Sequence, residues 1–353
     1  YKELYTQEKD EYLYKRKQSM KFDENIITIF KDKLIDFSNC KYGGKEYNFS
    51  AMPKTSVIYN NEKYLLKFME KNIARHYNYR EHNSETYFNS IYSEYISCHI
   101  GKMIGLNIQD TLIGYHKVIN NNKIEYIPCV ACKDFCKDDE ILLSFDEICE
   151  MVNPDKLDAY STNNFYDALE VINKQSCIDK QQLKEWFLDM FIFDSFIGNF
   201  DRNLNNFGII LNTKNETYRI APIFDCASSL HSKTNKKRMK FLADSYKKNS
   251  KLVYEYILTR NSYFKDNNGK RINYFDFLVN NSFNYNSDIA KSIVKIVPKL
   301  IELNNNGGIY DILDKLDGMI IPERIEVITK ELDVKVNEML IPSLNFAKEL
   351  LNI

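Results

Sequence analysis

Alternating apolar and polar residues in the first part of the chain predict a small β-sheet. Residues 55–60 and 63–69 form two such segments, and the Asn-rich sequence between them favours a tight turn and a hairpin. Residues 108–115 and 123–135 are also β-patterned. Between the two pairs, apolar residues recur at helical spacing over residues 84–104. The pattern therefore predicts a mostly antiparallel sheet with one long helix inserted into it.

From about residue 142 the pattern is mainly helical. A strongly apolar helix ends at Ile197 and runs directly into a polar loop at residues 198–206. Residues 207–211 and 217–220 then predict a second hairpin, which brings the chain back toward that loop. The C-terminal region again shows helical spacing, with interruptions that start at Pro298. We expect these last helices to close a large helical lobe.

Composition is that of a soluble globular protein with room for two lobes. The chain has 353 residues, 44% hydrophobic and 27% charged, and no apolar run approaches membrane-spanning length. With 48 basic and 49 acidic residues the net charge is -1, which favours neither nucleic acid nor an anionic membrane as a direct partner. Residues 1–20 lack the apolar core of a secretory signal.

Three of the eight cysteines are close together, and zinc is one explanation of such a cluster. They are Cys129, Cys132 and Cys136. However, residues three apart on a strand point to opposite faces, so Cys129 and Cys132 could not easily bind one ion. No second Cys or His pair lies at finger-like spacing. We therefore favour buried, reduced thiols and a reducing compartment.

The polar loop carries the residue types that magnesium-dependent phosphoryl transfer requires. Asp201 and Asn206 stand five residues apart, and Asp225 follows the second hairpin. In such chemistry one carboxylate orients the attacking hydroxyl, while an amide and a second carboxylate hold the metal. Each residue alone could instead cap a turn, satisfy the loop backbone or start a helix. Their order and the intervening hairpin favour a metal-phosphate site, and they resemble the loop of protein kinases.

The predicted sheet supplies a second set of candidates. Gly43 and Gly44 lead into the first hairpin, where they either make a tight turn or let backbone N–H groups approach phosphate oxygens. Lys67 lies on the second strand, and Glu94 lies within the long helix at the edge of its apolar face. An isolated Glu there is usually solvated. In kinases, though, a helix Glu pairs with the strand Lys that holds the nucleotide phosphates.

Several motifs together resemble the HipA-like kinases. They include Gly198-Asn-Phe-Asp-Arg, Asn206-Phe-Gly and Ile220-Ala-Pro-Ile-Phe-Asp-Cys, and the similarity extends in order from about residue 41 to residue 277. The resemblance implies an α+β fold of two lobes, related to the phosphatidylinositol 3-/4-kinases, with a small antiparallel-sheet N-lobe and a mainly helical C-lobe. It also implies phosphorylation of Ser or Thr in a protein, with ATP and Mg²⁺ as cofactors.

The resemblance assigns roles to the candidate residues. Lys67 is expected to pair with the nucleotide phosphates and Glu94 to hold Lys67, while Asp201 is the expected catalytic base. Asn206 and Asp225 are the expected magnesium ligands. The expected phosphate loop and adenine hinge comprise Tyr42, Gly43 and Gly44, and the backbone of Val130, Ala131, Cys132 and Lys133.

One departure from the family concerns the catalytic loop. Relatives commonly have Asp-Arg-His, whereas this chain has Asn203 at the third position. A His there can orient the Asp or the phosphate, so its replacement leaves the turnover rate open.

A run of basic residues follows the expected metal ligand Asp225. We interpret this run as a solvated loop, and the alternative is a docking site for an acidic protein or nucleic acid. It comprises Lys233, Lys236, Lys237, Arg238 and Lys240.

These observations predict three regions and one leading function. The regions are an N-terminal helical extension (1–36), a kinase N-lobe (37–135) and a helical C-lobe (136–353). The leading function is a bacterial cytoplasmic Ser/Thr protein kinase that phosphorylates itself and acts as a toxin or effector, with an antitoxin or host protein as partner. The alternatives are a lipid or small-molecule kinase, or an ATP-binding interaction module with little catalysis.

Overall fold

The computed structural model describes residues 34–44, 54–69, 89–120, 123–152, 163–280 and 287–353. Most of the predicted N-terminal extension lies outside these residues. Its last two residues, Ile35 and Asp36, form a strand rather than a helix, because they pair with the edge of the N-lobe sheet.

The N-lobe is a six-stranded sheet with one long helix packed on it. Its strands lie in the order β1-β5-β6-β4-β3-β2, and neighbours are antiparallel except for the parallel pair β1 and β5. The predicted hairpin of residues 55–69 is confirmed, and the two later β-patterned segments also pair as antiparallel strands. The elements are β1 (Ile35–Asp36), β2 (Lys41–Tyr42), β3 (Lys54–Tyr59), β4 (Glu62–Phe68), α1 (Ser90–Met103), β5 (Thr111–Asn120) and β6 (Lys123–Lys133).

The two faces of this sheet belong to different cores, as strand alternation requires. Cys129 and Ala131 of β6 lie in a small cluster with Phe37, Val57 and Leu66. The alternate residues of β6, among them Cys132, join the large core that contains α1. The prediction that Cys129 and Cys132 point to opposite faces is therefore confirmed, and both are buried free thiols.

The C-lobe is mainly helical, with a three-stranded sheet β7-β8-β9 and a two-stranded sheet β10-β11. Its elements are β7 (Glu140–Ser144), α2 (Phe145–Val152), α3 (Phe165–Lys174), α4 (Lys180–Ile197), β8 (Gly208–Asn212), β9 (Thr217–Ile220), α5 (Lys236–Lys248), α6 (Lys251–Leu258), β10 (Asn261–Lys265), β11 (Arg271–Asn273), α7 (Tyr274–Leu278), α8 (Ser287–Asn305), α9 (Gly308–Asp314), α10 (Pro322–Lys335), a π-helical turn (Val336–Leu340) and α11 (Ile341–Leu351).

Helix α4 is the central element of the C-lobe. Asp179 caps its start by accepting a hydrogen bond from the backbone of Gln182, and nearly every residue from Trp186 to Ile197 is buried. The helix ends at Gly198, which adopts a left-handed conformation (φ 67°) that glycine tolerates without strain. A buried helix that stops at a fixed residue is a rigid base for the loop that follows.

Three details differ from the sequence prediction. Residues 140–144, near the predicted start of the helical region, form β7, because a short apolar run does not distinguish a strand from a helix. Helix α8 continues through Pro298, whose exposed position leaves the buried face of the helix intact. The basic run is exposed as predicted, but most of it is the first part of α5, which Asn235 caps.

Within the described residues, no helix combines the length and the apolar character needed to cross a bilayer.

Candidate active site

The strand lysine, the helix glutamate and the second aspartate meet between the lobes. Lys67 Nζ lies 2.8 Å from Glu94 Oε2 and 3.0 Å from Asp225 Oδ1. Lys67 and Leu65 are two residues apart on β4, so their side chains point to the same face of the sheet. That face packs on α1, where Glu94 is fully buried. Burial disfavours the charge on Lys67. The carboxylates of Asp225 and Glu94 outweigh that effect and hold the pKa of Lys67 well above its usual range.

Glu94 also connects this ion pair to the chain after Asp225. Its Oε1 accepts a hydrogen bond from the backbone N–H of Cys226 at 2.9 Å, and the Cys98 thiol lies 3.9 Å from the same oxygen. One side chain on α1 thus holds both Lys67 and the segment that carries Asp225. One carboxylate oxygen of Glu94 and the sulfurs of Cys98 and Cys226 lie within 4.8 Å of one another, close enough to bind a metal ion. However, both Glu94 oxygens already accept hydrogen bonds, from Lys67 and from the Cys226 backbone.

The polar loop after α4 is held by side chains as well as by its backbone. Asn199 donates from Nδ2 to Asp194 Oδ1 at 3.0 Å, and its Oδ1 accepts from the backbone N–H of Asp201. The hydroxyl of Tyr274, at the start of α7, donates to the Asn199 carbonyl at 2.6 Å. These bonds fix the residues directly before Asp201.

Arg202 joins the loop to the Asp225 segment, and sequence reasoning gave it no role. Its guanidinium is fully buried and forms two hydrogen bonds with Asp194, at 2.8 and 3.1 Å. Its Nη1 donates to the carbonyl of Asn206 at 2.8 Å and to the carbonyl of Phe224. The sequence did contain a signal, because a carboxylate such as Asp194 on an apolar helix must be paired if it is buried.

Asp201 is half-buried beside this connection. Its Oδ2 accepts a hydrogen bond from the Ser228 hydroxyl at 3.4 Å. Burial raises the pKa of Asp201, Lys233 opposes that shift, and the nearby Asp225 adds to it. Ser228 and Arg271 also oppose it, but burial is the largest effect and the net change in the pKa is upward. A raised pKa suits a carboxylate that must accept a proton in the reaction.

Arg202 links the segments of Asn206 and Asp225, because it donates to the carbonyls of Asn206 and Phe224. Asn206 donates from Nδ2 to the Asp201 carbonyl at 2.7 Å. Asp225 has a left-handed backbone (φ 57°), and although burial opposes its charge, Lys67 lowers its pKa below the usual value. Within the described part of the chain, Asn206 Oδ1 and Asp225 Oδ2 accept no hydrogen bond, so both are open to a hard cation.

Asn203 stabilises the loop in place of the family histidine. Its Oδ1 accepts from the backbone N–H of Asn205 at 3.0 Å, and its Nδ2 lies 3.3 Å from the Asp201 carbonyl. Its carbonyl accepts from the N–H of Asn206 at 2.9 Å. The residue thus forms a local turn between Asp201 and Asn206.

The glycine pair lies at the end of β2, where the described chain stops before β3. The backbone N–H of Gly43 donates to the Ser56 carbonyl at 2.9 Å, and a Cβ on Gly43 would meet the Ser56 hydroxyl oxygen at 2.0 Å. Gly44 has a positive φ of 72°, and Tyr42 is exposed. The three residues therefore enter the β2–β3 connection, most of which lies outside the described residues.

A further cation, Lys54, joins the site from β3. Lys54 is the direct cross-strand partner of Lys67, so both side chains lie on one face of the sheet. Burial lowers the pKa of Lys54, the charge of Lys67 lowers it further, and Asp225 partly compensates. Lys54 could not be identified from the sequence, because the pairing register decides which strand residues lie side by side.

The four residues expected as the adenine hinge lie inside the sheet. Val130, Ala131 and Cys132 pair with β4 on one side and with β5 on the other, and Lys133 N–H donates to the Asp110 carbonyl. Their backbone N–H groups are therefore already used. The chain leaves β6 at Asp134, whose N–H still donates to the Lys63 carbonyl, and the adenine hinge at these four residues stays a prediction.

Comparison with known proteins agrees with this geometry. A family model, the HipA-like C-terminal domain, matches residues 50–297. The chain belongs to the HipA-like C-terminal domain family. It is 34% identical over 279 residues to the serine/threonine-protein kinase CtkA of Helicobacter pylori, and the alignment covers 78% of each protein.

Solved structures include the same relative. The crystal structure of the H. pylori proinflammatory kinase CtkA matches with a TM-score of 0.74 and 32% identity, covering 90% of this chain and 98% of that one. Shewanella oneidensis HipA, solved with HipB and operator DNA, matches at 12% identity with a TM-score of 0.43, over 94% of this chain and 71% of that one. The CtkA matches and the family model confirm the predictions of a HipA-like kinase and a two-lobed α+β kinase fold.

Proposed function

We propose that this protein transfers the γ-phosphoryl group of ATP to Ser or Thr hydroxyls of proteins, including its own, with Mg²⁺ as cofactor. The observation that carries the proposal is the triangle of Lys67, Glu94 and Asp225, which Arg202 connects to the loop of Asp201. Phosphoryl transfer depends on such positioning of charges far more than on covalent chemistry.

We propose that Asn206 Oδ1 and Asp225 Oδ2 hold the metal. Both are oxygen donors, as Mg²⁺ prefers, and the hydrogen bonds to Asp201 and Lys67 use the other polar atom of each side chain. When bound there, magnesium neutralises negative charge on the phosphates. Lys67, held in its charged form by Glu94 and Asp225, supports the same charges from the N-lobe.

Asp201 is proposed to orient the acceptor hydroxyl and receive its proton. Its backbone is fixed through Asn199, and its carboxylate is oriented by Ser228. Burial raises the pKa of Asp201 above its usual value, which suits a carboxylate that receives a proton in the reaction.

Nucleotide binding is proposed to use both lobes. Lys54 lies beside Lys67, so two ammonium groups face the phosphate position from adjacent strands. Residues 42–44 begin the loop that would cover the phosphates. The adenine is proposed to bind at the end of β6, at the predicted hinge of residues 130–133, where the chain leaves the N-lobe sheet.

The proposal is tested by transfer of labelled γ-phosphate from Mg-ATP. Wild type, Asp201→Ala and a control variant are compared, with the protein itself and a set of acidic and basic unfolded proteins as acceptors. Asp311→Ala is the control, since this Asp is exposed on α9. We expect label on Ser or Thr, a fall of about 100-fold or more in Asp201→Ala, and no comparable fall in the control.

Two outcomes would count against the proposal. Label that persists unchanged in Asp201→Ala would remove that residue from the reaction. Clear ATP binding without transfer to any protein would reject the protein-kinase function and favour a lipid or small-molecule acceptor, or a binding role. Action as a toxin or effector stays a prediction from the family resemblance.

A further inference from the structure

Positive charge flanks Asp201 on one side through the segment that follows Asp225. Lys233 Nζ lies 5.0 Å from the centroid of the Phe200 ring, and Phe200 directly precedes Asp201. The backbone N–H of Phe200 donates to the Ser228 carbonyl at 3.3 Å, so this segment is hydrogen-bonded to the catalytic loop. Lys233 is exposed.

A second cation flanks Asp201 from a different element. Arg271 is exposed at the start of β11, and its guanidinium lies 4.9 Å from the Tyr263 ring centroid on the paired strand β10. The same hairpin leads into Tyr274, whose hydroxyl is bonded to the Asn199 carbonyl. Lys233 and Arg271 both lower the pKa of Asp201, which places each charge within electrostatic range of that carboxylate.

The charge continues beyond Lys233 along the surface. Residues 226–243 contain five basic side chains and no Asp or Glu, although the whole chain has a net charge of -1. Four of the five lie in the first part of α5 and are exposed: Lys236, Lys237, Arg238 and Lys240. Such a local excess on a neutral protein creates a positive field directly beside the expected acceptor position.

We propose that this kinase selects Ser or Thr residues that have carboxylate side chains nearby in the substrate, with Lys233 and Arg271 contacting those carboxylates beside Asp201. The inference rests on the proposed function and adds a substrate class to it. A basic substrate segment would be repelled by the same two side chains and by the start of α5. An acidic segment is attracted over roughly the Debye length of about 8 Å at physiological salt.

The test uses three peptides that share one central Ser and differ only in flanking Glu, Gln or Lys residues. For wild type we expect kcat/KM to fall in the order Glu, Gln, Lys, by about fivefold per step, and the differences to shrink at high salt. Lys233→Gln and Arg271→Gln should each lower the Glu-to-Gln ratio. The double variant with Lys233→Glu and Arg271→Glu should prefer the Lys peptide.

Lys214→Gln is the matched control, since Lys214 is a largely exposed lysine on the β8–β9 turn. It should retain the wild-type ratios. Equal use of the three peptides by wild type would overturn the inference and leave the proposed function intact. If the variants lose kcat/KM equally for all three peptides, the inference on substrate selection is also overturned. That result would mean that Lys233 and Arg271 act on the transferred phosphate instead. Failure to phosphorylate any protein or peptide would overturn both proposals.

The basic surface has one competing use, nucleic-acid binding. Tight, salt-sensitive binding of an oligonucleotide that is lost in Arg238→Gln, together with equal use of the peptides, would assign the surface to nucleic acid instead.

Discussion

Replacing Arg202 with methionine should destabilise the C-lobe strongly, because Arg202 neutralises a buried charge. Methionine fills similar space without charge or donors. Asp194 is 1% exposed, and among the described residues its carboxylate would keep only the hydrogen bond from Asn199. The substitution also removes the donor to the carbonyls of Asn206 and Phe224.

The magnitude follows from these contacts. Removing one partner of a buried ion pair costs about 3–5 kcal/mol, since the other charge stays buried without compensation. Each buried carbonyl that loses its donor adds about 1–3 kcal/mol if water does not reach it. The total is comparable to the whole stability of many domains, about 5–15 kcal/mol. We therefore expect a much lower unfolding midpoint and little phosphate transfer.

A double-mutant cycle separates the ion pair from the loss of packing. Wild type, Arg202→Met, Asp194→Leu and the double variant are unfolded in urea. Trp186 serves as the probe, because it is the single tryptophan and lies on α4, with its ring 6.1 Å from that of Phe207. The double variant should be less destabilised than the sum of the single variants by about 1–3 kcal/mol.

Additivity within about 0.5 kcal/mol would refute this reasoning, because it would mean that the two side chains do not stabilise one another. Lys63→Met serves as the control for loss of an exposed ion pair, since Lys63 pairs with the exposed Asp138. That change should cost about 1 kcal/mol or less.

Three further predictions follow from the site and the helix that supports it. Lys67→Met should reduce the initial rate of phosphate transfer at saturating Mg-ATP by about 100-fold or more, whereas Lys63→Met on the same strand should change that rate by less than about twofold. Equal rates in the two variants would exclude Lys67 from the reaction. Mg-ATP should raise the melting temperature of wild type more than ATP with EDTA does, and Asp225→Asn should lose this difference. If Asp225→Asn keeps the difference, the metal does not bind at Asp225. Burial lowers the pKa of Lys335 to about 7, so between pH 7 and pH 10 the unfolded chain holds a proton there that the folded chain has released. The stability of wild type relative to Lys335→Met, measured in urea, should therefore rise with pH by up to about 1.4 kcal/mol per unit, and a flat difference would contradict the buried amine.

Much of the fold and the outline of the site could be predicted from local pattern. The hairpins around residue 60 and residue 214, helix α4 and the polar loop after it agree with the sequence prediction. Strand alternation also predicted the opposite faces of Cys129 and Cys132 correctly. These features depend on neighbours in the chain, so the residue pattern contains the information.

Other features depend on which segments pair across long separations. Strand β6, which carries the predicted adenine hinge, has a neighbour on both edges, and only the strand order reveals this. Lys54 reaches the site through its register with Lys67, and Arg202 through carbonyls and a carboxylate from three segments.

The sequence alone thus determined the types of residue that the site contains and their order, since Asp201, Asn206 and Asp225 can be identified from spacing. Only the tertiary structure decided which charges neutralise one another. It showed that Lys67 lies within 3.0 Å of two carboxylates from distant segments, and that Arg202 connects the loop to Phe224. The physical reason is that a buried charge is stable only beside its partner, and that partner is fixed by packing of the two lobes rather than by distance along the chain.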